Sequence, residues 1–268
     1  MLKWRVLTAL ILIPCVLWLV WLAPPAALPA AFAAIAMLGA WEWARMMNLT
    51  SRVARLGYTL AILSLVLAGW QWLRAGGSAL PVLAVGALWW LVAMACLVAF
   101  VRNPAMRLPP LIVSGLIGAV VLVVFWFAIV AIHDGEAFGS YWVTMLLLLV
   151  WGSDTGGYFA GRVWGQRKLA PLISPGKTWE GAIGSVVLGM IGGGTYYACG
   201  QLFGFAPVGV SPGVFLGLAL VTIFIAIVGD LFESMLKRQC GIKDSGGLLP
   251  GHGGVLDRID GLLAAAPI

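Results

Sequence analysis

The sequence predicts an all-α fold, a bundle of about eight helices that span a membrane. Hydrophobic residues make up 62% of the 268 residues and charged residues only 10%, and the mean hydropathy is +1.02. A soluble domain of this size does not have so apolar a composition. The chain also contains eight apolar runs long enough to cross a hydrocarbon layer about 30 Å thick as helices. Both observations exclude a water-soluble core and favour a polytopic membrane protein.

The apolar runs account for most of the chain. They lie near residues 6–23, 26–43, 56–73, 79–101, 111–132, 141–160, 181–199 and 213–230. The first run is too long for the core of a signal peptide, and a second run follows Pro24 and Pro25 in place of a cleavage site, so we expect a retained anchor. With no internal repeat and no long polar segment, residues 1–268 are predicted to form a single domain. Its N-terminal spans lie in 1–140, and its second half, 141–268, contains the two longest polar segments.

The basic residues predict the orientation of the bundle. If the N-terminus faces the cytoplasm, fifteen of the sixteen Lys and Arg residues fall on the cytoplasmic side and only Arg74 falls outside. Cytoplasmic loops of membrane proteins carry this excess of positive charge. We therefore expect an integral protein of a bacterial-type cytoplasmic (inner) membrane, with its N-terminus and active site facing the cytoplasm. The net charge of +6 then reflects topology and an anionic leaflet, so no nucleic-acid partner is expected.

Half of the acidic side chains lie in the C-terminal segment, residues 230–261. The segment holds Asp230, Glu233, Asp244, Asp257 and Asp260, together with Lys237, Arg238, Lys243, Arg258 and His252. Carboxylates bind hard divalent cations, and clustered Lys and Arg bind phosphate. The mixture of both signs predicts a site for a metal ion and a phosphate.

A second polar segment covers residues 151–181. Asp154 lies near the cytoplasmic end of the sixth run, where an ionised group costs up to about 3 kcal/mol in lipid unless it is paired or faces water. We therefore expect it to face a cavity. A polar turn with Ser174, Lys177 and Thr178 precedes the seventh run, whose first turn holds Glu180. Backbone N–H groups at that helix start, with Lys177 beside them, suit a phosphate, although the spacing lacks the P-loop pattern.

Both polar segments fall on the cytoplasmic side and can converge on one cavity, open to the cytosol and to the inner leaflet. Ser153 and Ser234 are expected to cap helices or to donate hydrogen bonds there, since no base is paired with them in sequence. Glu42, which follows Trp41 in the second run, is expected to be a headgroup-level or packing residue.

Residues 234–260, SMLKRQCGIKDSGGLLPGHGGVLDRID, resemble the signature of phosphatidate cytidylyltransferases, also called CDP-diacylglycerol synthases. Ser, Lys-Arg, Lys-Asp, Pro-x-His-Gly-Gly and Asp-Arg-x-Asp follow one another there in the order of that signature. The stretches SDTGGYFAGR and ISPGKTWEG are similar to a second conserved region of the same family. The hydropathy layout is similar over nearly the whole chain.

The resemblance implies a reaction in which CTP and phosphatidate give CDP-diacylglycerol and pyrophosphate. It implies Mg²⁺, alone or with a second cation, held by Asp230, Asp257 and Asp260. Lys177, Lys237, Arg238 and Lys243 would hold the phosphates of CTP or of the lipid. Asp244 and His252 complete the catalytic set, in which His252 orients or binds because the phosphate is already anionic. The substrate-binding set is Ser153, Asp154, Ser174, Lys177, Thr178, Glu180, Ser234 and Arg258.

Two further expectations come from the same resemblance. The family forms homodimers, so a homodimer embedded in membrane lipid is implied here. Its members continue past the last Asp of the signature into a further span, whereas the eight residues after Asp260 are too few to cross a membrane at about 1.5 Å per residue. We therefore expect either a trimmed end or a partial last helix.

Three alternative functions remain open. A CTP-dependent polyprenol or phytol kinase has a related layout but would phosphorylate an alcohol. A CDP-alcohol phosphotransferase is disfavoured because its Asp-Gly-x-x-Ala-Arg pattern is missing. A cation-coupled transporter could use Asp154 and the glycine-rich helices, although its charges should lie near the bilayer midplane.

Overall fold

The computed structural model describes residues 2–107, 109–135, 138–207, 209–247 and 253–268, with side chains from residue 12 onward. Within these ranges the helices and strands follow one another as α1 (Leu2–Trp21), α2 (Ala27–Met46), α3 (Arg52–Arg74), α4 (Leu80–Arg102), α5 (Leu111–Gly135), α6 (Gly139–Val163), β1 (Lys168–Ala170), β2 (Ser174–Thr178), α7 (Trp179–Phe203), α8 (Pro212–Gln239) and α9 (Leu256–Ala265). The predicted all-α membrane bundle is confirmed, with one small sheet added to it.

Each of the eight predicted spans overlaps one of the helices α1 to α8. Six of them, α2, α3, α4, α5, α7 and α8, are long and apolar enough to cross a membrane. The described side chains of α1 form a shorter apolar stretch, Leu12–Trp21. Helix α6 carries Ser153, Asp154 and Arg162 in its second half and is not one of these six.

The added sheet is a hairpin of β1 and β2, which pair antiparallel with Lys168 opposite Thr178 and Ala170 opposite Ser174. The sequence predicted only a polar turn at residues 174–178, and this part of the prediction was wrong. Strands of three and five residues are too short to show the alternation by which a strand is recognised. Ile173, between the strands, is almost fully buried and anchors the hairpin to the bundle.

Close backbone contact between α6 and α7 fixes the hairpin beside the bundle. A Cβ atom at Gly156 would overlap the carbonyl oxygen of Gly184, so only glycine allows this approach. Helix α7 then begins directly after β2, where the Thr178 side-chain oxygen accepts a hydrogen bond of 3.1 Å from the Gly181 N–H. The packing therefore holds Asp154 of α6 and Lys177 of β2 at the same end of the bundle.

Helix α9 carries Asp257 and Asp260 of the C-terminal polar segment. It has ten residues and packs along α8, where a Cβ at Gly229 would overlap the Asp260 carbonyl oxygen. Leu256 and Ala264 of α9 are completely buried. Asp257 and Asp260 lie one turn apart on this helix, next to the part of α8 that carries Asp230.

Candidate active site

A cavity of about 690 Å³ opens among α6, the hairpin, α7, α8 and α9. Ten of the sixteen predicted site residues line it: Ser153, Asp154, Lys177, Thr178, Asp230, Lys237, Asp244, Asp257, Arg258 and Asp260. The two polar segments, about eighty residues apart in sequence, thus contribute to one surface. Carboxylates and cations face each other across that surface.

Lys177 joins the hairpin to α8 through an ion pair. Its Nζ lies 2.6 Å from Asp230 Oδ2, and the two side chains are 23% and 33% exposed. Ser234, one turn further along α8, donates a long hydrogen bond of 3.5 Å to the other oxygen, Asp230 Oδ1. Lys177 therefore stands at the cavity wall as a point charge whose position Asp230 fixes.

Lys237 forms a second and more deeply buried ion-pair centre. Its Nζ lies 2.6 Å from Glu233 Oε2 and 2.6 Å from Asp257 Oδ1, and its side chain is only 12% exposed. One ammonium group thus connects α8 to α9. Because a buried charge is tolerated only when paired, these three side chains depend on one another.

Asp257 is held by protein donors on both carboxylate oxygens. Oδ2 accepts hydrogen bonds from the Ser245 N–H at 3.0 Å, the Ser245 hydroxyl at 3.0 Å and the Gly254 N–H at 2.7 Å. Burial alone would raise the pKa of the Asp257 carboxyl, but the hydrogen bonds and charge of Lys237 and the Gly254 and Ser245 N–H groups hold this pKa below its usual value. Asp257 is therefore an ionised anchor for the loop before α9.

Asp260 lies in the opposite electrostatic environment. Its Oδ1 accepts a hydrogen bond of 2.8 Å from the Gly261 N–H, while the carboxylates of Asp230, Glu233 and Asp154 surround it. Burial, followed by repulsion from these three carboxylates, raises the pKa of Asp260 well above its usual value. The protein alone therefore does not neutralise the negative charge gathered at this wall.

The predicted metal ion can be tested against this donor set. Within the described ranges, no three His, Cys, Asp or Glu side chains are arranged so that they alone could hold a metal ion. Mg²⁺, however, commonly uses one or two carboxylates and completes its shell with water and substrate phosphates. Glu233 Oε1 is buried and has no hydrogen-bond partner among the described residues, and three further carboxylates lie nearby. The residues fit a cation whose shell a phosphate completes.

Five of the predicted site residues that the structure describes do not line the cavity. Glu180 accepts hydrogen bonds from the Gln166 and Arg167 N–H groups, and the Arg238 guanidinium donates to the Ile173 carbonyl oxygen at 3.1 Å. Both side chains thus brace the hairpin. Ser174 is the first residue of β2, and the Ser234 hydroxyl donates to Asp230 Oδ1. Lys243 is exposed in the segment after α8. His252 lies outside the described residues.

Three side chains that sequence reasoning did not select belong to this region. Tyr158 and Arg162, one turn apart on α6, line the cavity, and the Arg162 guanidinium donates to the Tyr158 hydroxyl at 2.7 Å. Asp154, Tyr158 and Arg162 follow one another at intervals of four residues, which places them on one face of a helix, and this spacing was the available signal in the sequence. Glu42 of α2 contacts the loop before α9 and is buried. Its only signal was an acidic residue inside an apolar run.

Comparison with known proteins agrees with this geometry. The model of the cytidylyltransferase family matches residues 3–268. The phosphatidate cytidylyltransferase of Pseudomonas aeruginosa is 38% identical over 268 residues, which cover 100% of this chain and 95% of that protein. The protein of the same name from Haemophilus influenzae is 34% identical, and the match covers 100% of this chain and 96% of that protein. The one from Brucella suis is 47% identical, and the match covers 51% of this chain and 48% of that protein. The chain belongs to the cytidylyltransferase family.

Proposed function

We propose that this protein is a phosphatidate cytidylyltransferase, which transfers the cytidylyl group of CTP to phosphatidate and releases pyrophosphate. The observation that carries the proposal is the cavity in which Lys177, Lys237 and Arg258 stand opposite five acidic side chains, at one end of a membrane bundle. The relatives that match over nearly their whole length bear this name. Both substrates are anionic phosphates, and one of them resides in the membrane.

The reaction replaces one phosphoric anhydride bond by another. An oxygen of the phosphatidate phosphate attacks the α-phosphorus of CTP, and the bond from that phosphorus to the β-phosphate oxygen breaks, so pyrophosphate leaves. A phosphate monoester has its second pKa near 6 and is already anionic at neutral pH, so no side chain has to remove a proton. The residues of the chain then act by alignment and by charge neutralisation.

Two cations at the cavity wall, Lys177 and Arg258, have distinct parts in that alignment. Lys177, which Asp230 holds at 2.6 Å, places a positive charge at the start of α7, where backbone N–H groups also favour phosphate. Arg258 lines the same cavity close enough to Asp154 to interact with it electrostatically. These groups would bind and orient the triphosphate against the lipid phosphate.

A Mg²⁺ ion, alone or with a second cation, would be held by one or two carboxylates drawn from Asp154, Asp230 and Asp260, with water and substrate phosphates completing its shell. When bound, such an ion neutralises charge that accumulates on the departing pyrophosphate. Asp257 was predicted as a metal ligand, but its two oxygens already face four protein donors, of which the Ser245 hydroxyl is shared with Glu42. We therefore assign Asp257 to the support of the loop and leave the metal shell to its neighbours.

The same cavity can accept an amphipathic substrate. Ile227 and Ala182 line it together with the charged groups, and the adjoining Ile183 and Phe159 are 63% and 59% exposed. In a membrane protein, such exposed apolar side chains face lipid. A diacyl lipid could therefore reach the charged wall with its headgroup while its chains stay in the bilayer.

Release of pyrophosphate tests the proposal. Purified protein in detergent micelles should release pyrophosphate only when CTP, phosphatidate and Mg²⁺ are all present. A polyprenol or phytol kinase would instead release CDP and require an alcohol acceptor. A cation-coupled transporter would release neither.

Lys177 should contribute mainly to CTP binding. In the Lys177→Ala variant we expect kcat/KM for CTP to fall roughly tenfold to a hundredfold, because one charge-assisted contact to phosphate is lost. Lys177→Arg should recover part of the loss, since its longer planar group displaces the charge. CTP titrations at saturating phosphatidate, normalised to folded protein, measure both variants. Unchanged CTP kinetics in the alanine variant would move the phosphate role to Lys237 and Arg258.

We propose that the cavity faces the cytoplasm in a bacterial inner membrane. The described cations near helix ends support this, since Arg45, Arg102, Arg162 and Lys237 lie on the side of the cavity whereas Arg74 lies at the opposite ends of the helices. Gly176 is exposed and a Cβ placed there meets no atom within 4 Å, so cysteine fits. In a background without the four native cysteines, Gly176→Cys should react with an impermeant maleimide only from the cytoplasmic side. Reaction from the outer side would show that the topology is the reverse of the one proposed.

We also propose a homodimer in the membrane. Helix α7 presents Val187 and Ile191 on an exposed apolar face, which a second copy could cover. Light scattering of the detergent-purified protein, with the detergent mass subtracted, should give twice the chain mass of 28.4 kDa. A value of one chain mass would exclude the dimer under those conditions.

A further inference from the structure

Glu42 is a buried carboxylate in the N-terminal half of the bundle. It lies on α2 and is only 2% exposed, beside core residues such as Trp43 and Ala40. A carboxylate in such surroundings is costly unless every lone pair finds a donor. Its partners therefore show what this side chain stabilises.

The partners of Glu42 are the first N–H groups around α9. Oε1 accepts a hydrogen bond of 2.9 Å from the Val255 N–H, and Oε2 accepts one of 2.9 Å from the Leu256 N–H. The first N–H groups of a helix have no partner within the helix, and a negative charge there is also favourable to the helix dipole. Val255 itself provides no side-chain cap for α9. Glu42 provides that cap from a different helix, more than two hundred residues earlier in sequence.

Ser245 connects Glu42 to the active-site wall. The Ser245 hydroxyl is completely buried and lies 3.0 Å from Glu42 Oε2 and 3.0 Å from Asp257 Oδ2. It can donate its one proton to either carboxylate, so it bridges the two. Asp257 in turn holds Lys237 at 2.6 Å. A continuous chain of contacts thus runs from α2 to the cavity.

Glycines allow the loop to close around the Glu42 carboxylate. A Cβ at Gly246 would overlap Glu42 Oε1, and a Cβ at Gly254 would overlap both Ser245 Oγ and Glu42. Glu42 therefore contacts the loop backbone directly on two sides.

We infer that Glu42 is a positioning residue for the transfer reaction. Through the α9 N-terminus and Ser245, it sets the position of Asp257 and Asp260 relative to Lys177 and Asp230. The inference rests on the proposed function, because its kinetic test requires that the cavity is the site of turnover. Glu42 touches no cavity residue that we assign to substrate, and its effect is exerted through α9.

Glu42→Gln tests this inference because it keeps the size of the side chain. One of the two acceptor oxygens becomes an NH₂ group that faces an N–H donor or the Ser245 hydroxyl, so the cap on α9 is lost on that side. We expect kcat to fall about tenfold to a hundredfold, as a displacement of catalytic groups by about 1 Å does. The Mg²⁺ concentration for half-maximal rate should rise, whereas the KM for CTP should change less than twofold to threefold, because Lys177 stays in place.

Ser245→Ala is the second variant and keeps the test informative if Glu42→Gln does not fold. It removes the bridge to Asp257 but leaves Glu42 on the Val255 and Leu256 N–H groups. Loss of one hydrogen bond predicts a threefold to tenfold fall in kcat. Thr144→Ala is the matched control, since it removes a buried tertiary hydrogen bond of 2.9 Å, from Trp21, far from α9. Its melting temperature should fall while its kcat and Mg²⁺ dependence stay at wild-type values.

Amide hydrogen exchange separates this inference from the proposed function. In Glu42→Gln, the Val255 and Leu256 amides should exchange faster than in wild type, while amides of α7 should not. Faster exchange with a kcat and Mg²⁺ midpoint within twofold of wild type would overturn the positioning role, and so would unchanged exchange at these two amides. If the wild-type protein forms no CDP-diacylglycerol, the proposed function fails, and accelerated exchange in the variant still identifies Glu42 as the cap of α9.

Discussion

Asp260→Asn should abolish turnover without destabilising the protein. Asp260 is surrounded by the carboxylates of Asp154, Asp230 and Glu233, whose repulsion adds to burial in raising its pKa. Removing its charge takes away one side of the proposed cation site, and we expect a loss of roughly a hundredfold or more in kcat. In the absence of a cation, the same change relieves repulsion, so stability should be equal to or greater than that of wild type.

The pH dependence of stability gives a second signature of Asp260. Its folded-state pKa lies above its unfolded-state pKa, so the ionised form disfavours folding, and wild-type stability falls as the pH rises through the folded-state pKa. With EDTA present, the melting temperatures of wild type and Asp260→Asn should coincide at acidic pH and separate in favour of the variant at alkaline pH. Asp134→Asn is the control. Among the interactions described, Asp134 pairs only with His133, and it lies at the C-terminal end of α5, at the end of the bundle away from the cavity. An active Asp260→Asn enzyme would contradict the assignment.

Lys237→Met should destabilise the protein more than any other single substitution proposed. The variant leaves Glu233 and Asp257, whose side chains are 4% and 6% exposed, without their shared cation. Removal of one partner from a buried ion pair costs about 3–5 kcal/mol. Because α8 and α9 are joined through this ammonium group, we expect lower yield, a lower melting temperature and no measurable turnover.

Arg238→Gln provides the matched control for Lys237. Arg238 is the next residue in sequence and has the same charge, but it is exposed and donates only to the Ile173 carbonyl oxygen among the bonds described. Its substitution should cost less than about 1 kcal/mol, a value typical of surface polar contacts. Thermal unfolding in detergent, followed by the fluorescence of the tryptophans, measures both variants. Equal melting temperatures for the two would show that the ion-pair centre does not stabilise the fold.

Much of this fold could be predicted from composition and apolar run length. In lipid, a spanning segment must satisfy its own backbone hydrogen bonds, so a long apolar run has few alternatives to a helix. The two polar segments could also be found, since clustered charges stand out in an apolar chain. Their convergence on one cavity follows from the number of spans between them. Two spans, α7 and α8, separate the first polar segment from the second, so the chain returns to the same end of the bundle.

The details of the site could not be read from sequence, for physical reasons that differ from residue to residue. Asp257 and Asp260 are three residues apart and have the same chemistry, yet protein donors saturate one and carboxylates surround the other. Glu180 and Arg238, which were predicted to bind substrate, do not line the cavity and hydrogen-bond to the hairpin region, which was itself not predicted. Glu42 depends on contacts with residues more than two hundred positions away, which no local pattern reveals.

The fate of the phosphorus atoms of CTP tests the central claim most directly. CTP labelled with ³²P at either the α or the γ position is incubated with phosphatidate, Mg²⁺ and purified protein, and the lipid fraction is extracted. Cytidylyl transfer predicts that the α label enters the lipid fraction in a one-to-one ratio with released pyrophosphate, while the γ label stays in the aqueous phase. Transfer of the γ label to lipid, or of neither label, would contradict the proposed function.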